Sequence, residues 1–436
     1  MARDGANDRG SRTSLKKADL IDPDSESPED DIRADAEEEE DGEDPSFLSD
    51  PKRLAQTGAL IVVIVAAIYL LAPKLVGVED GLDELGDCDP VWIAIALAFG
   101  VAMFASYVAL FRGVVGEEVK LRVSESYQIT MAGLAATRLF SAGGAGGIVL
   151  TYWALRKAGM KRKDSAARMV AFLVLLYAVY MLTLLINGVL LRTGVFVGDI
   201  SAPAGLTIVP AAIGGGVIAI FLLFALIPGD LERRMAGASD QNWRGRLVRR
   251  LATVPATAAI GTREALAFVR EPRRGAVGLI GAVGFWASNI AILWASFEAF
   301  GANVPITIVV QGFFVGMFAN LIPLPGGVGG VDAGMIGTFA LFDLPGVGGS
   351  KVFAAVFTYR LIAFWLPLFP GILAFFQLRG TVKRWDEAKA ARKAGRAGPM
   401  LPVEAARIEA GKTLDSDAPS SVTSQSEVES PTAGNG

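Results

Sequence analysis

The sequence predicts an all-α polytopic membrane protein with six full transmembrane helices plus two oppositely oriented, glycine-broken re-entrant hairpins that form an inverted repeat. Three observations carry this. The 436 residues are 52% hydrophobic with a mean hydropathy of +0.43, too apolar for an ordinary soluble chain of this length. Six segments hold the roughly 20 apolar residues that an α-helix rising 1.5 Å per residue needs to cross about 30 Å of hydrocarbon. A GGxGG cluster occurs twice, at Gly143–Gly147 and at Gly326–Gly330, each time between two such segments.

Taken in chain order, residues 1–50 hold 18 acids against 6 bases, including Glu37 to Glu40, and few large apolar side chains. Such a stretch cannot bury enough surface to offset its ordering entropy, so a disordered acidic cytoplasmic tail is expected. It lacks the short apolar core of a cleavable secretory signal, and the first hydrophobic segment is therefore expected to stay as an anchor. The membrane domain, 51–380, is basic, with 27 Lys and Arg against 19 acids. The expected spans run from Thr57 to Val76, Pro90 to Phe111, Ala166 to Leu191, Ala204 to Pro228, Gly275 to Phe300 and Lys351 to Leu378. The tail, 381–436, balances 8 acids with 8 bases and is expected to be mostly disordered after one charged, Ala-rich helix.

Orientation follows from the bias of Lys and Arg towards the cytoplasm. Lys52 and Arg53 place the N-terminus inside, and the six acids between Glu79 and Asp89 mark an outer loop. Arg112, Lys120 and Arg122, and then Arg156 to Lys163, are both inside, so the apolar stretch 124–155 must enter and return on one side. The connection 230–274 carries ten Arg against five acids and is also inside; its portion 245–269 reads as an interfacial amphipathic segment broken near Pro255. The basic residues after Leu378 put the C-terminus inside, so 304–346 must enter and leave from outside. Units 90–191 and 275–378 are thus related by inversion, the arrangement by which secondary transporters build a central site. Re-entrant hairpins would have to face the protein interior, because unpaired backbone in lipid costs several kcal/mol. Complete helical hairpins with glycine-rich surface turns satisfy the same parity.

Function is narrowed by what is missing. With no histidine and a single cysteine, Cys88, the chain lacks the central side chain of Ser-His-Asp and Cys-His catalysis and of HExxH zinc sites. The clusters Gly143, Gly144, Gly146, Gly147 and Gly326, Gly327, Gly329, Gly330 let a ligand approach the backbone closely, and successive N–H groups suit an anion. Close helix packing explains such glycines equally well. Arg138 and Arg360 lie where a lipid-facing charge costs about 2.5–3.5 kcal/mol, so both should point inwards. Either a bound phosphate or a fixed ion pair with Asp332 offsets that cost. Tyr359, Tyr152, Asn320 and Gln311 are polar neighbours that suit either a cavity lining or helix packing.

The run Pro323-Leu324-Pro325-Gly326-Gly327-Val328-Gly329-Gly330-Val331-Asp332-Ala333-Gly334, followed by Tyr359-Arg360-Leu361-Ile362-Ala363-Phe364-Trp365-Leu366-Pro367 and Gly371, resembles the transmembrane region of lysylphosphatidylglycerol synthases and the flippase-like proteins related to it. The likeness spans about residues 51–380. Asp332 stands where that family commonly has Glu, and the Gly-Glu pair usual after the first hairpin turn is absent from Ser141 to Ile148. The resemblance implies lipid translocation across the inner (cytoplasmic) cell membrane. Aminoacyl transfer in that family belongs to a separate soluble domain, and fewer than sixty residues follow the last span, so lysyl-lipid synthesis is not expected.

The resulting expectation is a non-enzymatic lipid flippase. It moves a phospholipid or a lipid-linked anionic headgroup between leaflets, with Arg138, Arg360, Asp332, Tyr359, Asn320 and the eight cluster glycines at its substrate site. Its partners are membrane lipids and not nucleic acid. No metal or other cofactor is implied, and no Walker A sequence occurs. Two other classes stay open. One is a membrane-embedded transferase acting on a lipid-linked substrate, for which Asp87 and Asp89 are the nearest external carboxylates. The other is a scaffold that recruits proteins through the acidic tail.

Overall fold

The computed structural model describes residues 84–116, 119–139, 145–194, 203–225, 262–263, 266–267, 270–271, 274–321, 327, 329–342, 344–396 and 398–416. Among them every regular element is helical. We label the helices α1 (Pro90–Val115), α2 (Val123–Leu139), α3 (Ala145–Lys157), α4 (Arg162–Arg192), α5 (Ala204–Ala225), α6 (Arg274–Ala299), α7 (Ile306–Met317), α8 (Gly330–Ala340), α9 (Gly349–Arg360), α10 (Leu368–Lys393) and α11 (Pro402–Ser416). A 3₁₀ turn, Phe318–Leu321, prolongs α7, and a π-turn, Leu361–Trp365, joins α9 to α10.

Among the described residues five segments are long and apolar enough to cross a membrane: α1, α4, α5, α6 and the joined α9–α10 run. Each matches an expected span within a few residues, except the last. The expected first span, Thr57–Val76, lies outside the described residues, as do the acidic tail 1–50, nearly all of the connection 230–274 and residues 417–436. The crossing expected as one helix from Lys351 to Leu378 is two α-helices with a π-turn between them. Pro367 causes this locally: it has no N–H for the carbonyl of Ala363, four residues earlier, and the ladder shifts to a Leu366 N–H donating to Leu361 O at 2.8 Å. Beyond the span the chain stays helical through Lys393 and forms α11 after a short turn, so residues 381–416 are mainly helical.

The start of α1 shows how its sequence fixes it. Asp89 caps the helix by accepting the Val91 N–H at 2.8 Å, and Pro90 follows at N1, where a missing N–H costs nothing. Asp89 N–H also donates to Ala299 O at the far end of α6, at 2.8 Å. Near the other end of the pair, Gly281 of α6 leaves no room for a Cβ against Leu110 and the Ser106 carbonyl of α1. The first helices of the two units are therefore antiparallel and in glycine-mediated contact.

The rest of the packing repeats in the same register. In the first hairpin, α2 and α3 cross where Gly133 abuts Gly147 and Thr151; in the second, α7 and α8 cross where Gly316 abuts Gly334 and Met335. The step in sequence from Gly133 to Gly316, and from Thr151 to Gly334, is the one that separates Gly143 from Gly326. Each hairpin's first arm then lies on the closing span of the other unit. Gln128 of α2 accepts a hydrogen bond from the Thr381 hydroxyl of α10 at 2.8 Å. Gln311 of α7 accepts one from Asn187 Nδ2 of α4, also at 2.8 Å. The two glutamines keep the same spacing as the glycines. This exchange of arms makes a single buried core, with Tyr180 (α4), Trp286 (α6), Phe313 and Phe314 (α7) as its aromatic centre; Tyr180 stacks on Phe314 at 4.6 Å and donates its hydroxyl to the Phe314 carbonyl.

Candidate functional site

The end of the first hairpin arm and the break in the last span meet. Arg138, in the last turn of α2, donates from Nη1 to Phe364 O at 2.7 Å and from Nη2 to Ala363 O at 2.8 Å. Ala363 O is the carbonyl to which residue 367 would donate in an α-helix and Pro367 has no N–H to do so, so a guanidinium from one unit serves the backbone of the other. The Arg138 guanidinium also lies 5.0 Å from the centroid of the Phe364 ring.

Arg360, at the C-terminus of α9, approaches the same ring to 4.4 Å and is 5% exposed. Its Nε lies 2.7 Å from Asp332 Oδ1, a charge contact without the alignment of a hydrogen bond. Asp332 owes its position to the glycine tip. Gly327 and Gly329 have φ of +63° and +80°, a left-handed backbone that suits glycine. The Gly329 N–H then points back to Asp332 Oδ2 at 2.8 Å, in the first turn of α8, where the helix dipole favours a carboxylate. The ion pair is thus built by the second cluster. The Arg360–Asp332 pair, one of the two ways of offsetting the buried charge of Arg360, is present.

Among the described residues two guanidinium groups, one aromatic ring and one carboxylate share this locus, giving these three charged groups a formal charge of +1. The two carbonyl oxygens take two of Arg138's five N–H groups without neutralising it.

The other expected site residues divide. Gly330 opens α8 beside Asp332. Asn320 is exposed, donates to Met317 Sδ at 3.7 Å and sits where a Cβ on Gly327 would collide with it. Tyr359 lies near enough to Arg360, Arg138 and Asp332 to interact with their charges, while its hydroxyl donates to Asn289 Oδ1 at 3.2 Å in α6 and its ring is edge-on to Phe313. Gly146 and Gly147 are buried, and Gly147 serves the crossing of α2 and α3. Gly143, Gly144 and Gly326 lie outside the described residues.

Phe364 and the Ala363 carbonyl were missed by sequence reasoning, although Pro367 identifies the orphaned carbonyl four residues before it. Gln128 was also missed; stepping back from Gln311 by the interval between the two glycine clusters finds it.

Among the described residues five long apolar helices, two of them packed antiparallel, around a buried cationic cluster define a multi-pass α-helical membrane protein. The chain belongs to the lysylphosphatidylglycerol synthase TM region family, which matches residues 57–371. Parts of the chain are similar to proteins of Methanothermobacter thermautotrophicus called UPF0104 membrane protein. One is 33% identical over 90 residues, 20% of this chain and 26% of the relative. The other is 28% identical over 107 residues, 24% of this chain and 30% of the relative. These alignments span less than a third of each relative's length.

Proposed function

We propose that the protein is a flippase of the inner cell membrane that carries the anionic headgroup of a phospholipid, or of a lipid-linked intermediate, between leaflets. The observation that carries the reading is the pair Arg138 and Arg360 on one phenylalanine, with Asp332 the carboxylate seen beside them among the described residues. A phosphate entering there meets two cationic forks, while its acyl chains stay in the bilayer.

Helix length supports re-entry of the hairpins. At 1.5 Å per residue α2, α3 and α8, with 17, 13 and 11 residues, extend about 26, 20 and 17 Å, and α7 with its 3₁₀ turn, 12 and 4 residues, about 26 Å; none reaches across roughly 30 Å of hydrocarbon. Opposite hairpin orientation is supported by the antiparallel α1 and α6, since alternating access in inverted-repeat transporters depends on that relation. The Lys and Arg distribution supports cytoplasmic termini. The family description itself names a lipid, lysylphosphatidylglycerol. Translocation makes and breaks no covalent bond, so this reading calls on no cofactor.

Leaflet exchange by purified protein in vesicles, with several labelled lipids, tests the proposal. Faster exchange of at least one anionic lipid than in protein-free vesicles is expected, with loss of that acceleration in Arg360→Ala. Equal rates with and without protein for every lipid would remove the reading.

A further inference from the structure

A second feature lies away from the Arg360 cluster, where α1 ends and the charged loop before α2 begins. A cavity of about 460 Å³ is lined there by the apolar side chains of Phe111, Val115, Val119 and Leu121, by Arg112, Lys120 and Ser126, and by Ala406 and Glu409 of α11. Its size is that of a small-molecule or headgroup pocket. Ser126 is wholly buried and its hydroxyl has no partner, an unmet capacity in a site that already offers two cations.

The C-terminal helix closes this cavity. Lys120 N–H donates to Pro402 O at 3.0 Å, the Glu404 carboxylate caps the Leu401 N–H at 2.9 Å and pairs with Arg392, and Leu401 and Ala406 are buried. The first turn of α11 is thereby tied down. Two turns on, Glu409 forms an ion pair with Lys120, and both side chains are more than half exposed. An exposed pair of this kind is worth little, so the carboxylate is easily replaced.

We propose that this cavity is a second anion site, for the phosphate group of an amphiphile, and that Glu409 is its built-in competitor. The apolar wall takes the start of an acyl chain, Lys120 and Arg112 take the phosphate, and the Ser126 hydroxyl donates to it. Binding displaces the Glu409 carboxylate and loosens the outer half of α11 while its first turn stays docked.

The test uses the full chain in detergent with short-chain phosphatidylglycerol, short-chain phosphatidylcholine and inorganic phosphate, comparing wild type with Glu409→Gln and Lys120→Gln. Glu409→Gln should bind phosphatidylglycerol roughly two- to five-fold tighter, the range an exposed ion pair spans, and Lys120→Gln should bind it weaker by a similar factor. Tighter binding of phosphatidylglycerol than of inorganic phosphate identifies the amphiphile; equal binding of the two overturns the lipid assignment. Photo-crosslinking with a phosphatidylglycerol probe should label peptides containing 111–126 or 402–409. Labelling confined to peptides around Arg138 and Arg360, or unchanged affinity in both variants, overturns the second site.

Discussion

The two glycine hairpins share a crossing geometry but not a chemistry. In the second, the tip places Asp332 against Arg360. At the corresponding positions of the first unit stand Val149 and Tyr177, both substantially exposed. The first hairpin contributes charge in another way, by sending Arg138 from its first arm to the broken span of the other unit; the corresponding residue of the second unit is Leu321. The difference teaches that the repeat supplies the scaffold twice and the charged site once. Arg360 and Asp332 come from the second unit, Arg138 from the first, and the site exists only because the closing spans exchange hairpin partners.

The largest expected effect breaks that asymmetry at its buried pair. Asp332→Asn leaves Arg360 without its carboxylate and weakens the cap of α8, and should cost about 3–5 kcal/mol of stability, read as a lower unfolding temperature in detergent. Val149→Asn, at the position where the first unit has no such pair, should leave stability nearly unchanged. Comparable losses in the two variants would show that the charged pair is not what distinguishes the hairpins.

The shared scaffold predicts the next effect. Gly147→Val and Gly316→Val each force a side chain onto the facing backbone of a helix crossing, that of Gly133 and of Met335, and should cost similar amounts, about 1–3 kcal/mol. Gly216→Val, where nothing lies within 4 Å of an added Cβ, should stay within about 0.5 kcal/mol of wild type. A large difference between the two crossing variants, measured by thermal unfolding, would argue that the crossings are not equivalent. The smallest effect concerns the paired glutamines. Gln128→Leu and Gln311→Leu should each cost roughly 0.6 kcal/mol, as interhelical hydrogen bonds in membranes do on average. Gln311→Leu should be the more costly because Gln311, besides accepting from Asn187, donates to the Leu206 carbonyl of α5.

Much of this architecture was legible in the sequence because apolar runs bounded by charge are the strongest signal that a membrane protein carries. Spans α1, α4, α5 and α6 were placed within a few residues, and the spacing of the glycine clusters supplied the register that Gln128/Gln311 and Gly133/Gly316 obey. The break at Leu361–Trp365 was not legible from hydropathy, since a π-turn is as apolar as the helix it interrupts; only Pro367 announces it. The partners of Arg138 are main-chain carbonyls, which no side-chain pattern reveals. Helix α11 escaped because its Ala-rich, mixed-charge sequence resembles a solvated tail, and its docking rests on a few contacts such as Leu401 and Ala406.

The central claim is that two guanidinium groups outnumber the carboxylate beside Phe364 in order to escort an anion. It is tested most directly by the ratio of labelled phosphatidylglycerol to phosphatidylcholine exchange between leaflets, measured for wild type, Arg138→Lys and Arg138→Gln. The account predicts a ratio well above one for wild type, partly kept when the charge stays as lysine, and falling towards one when it is removed as glutamine. A ratio that is the same in all three proteins, with protein-dependent exchange intact, would contradict it.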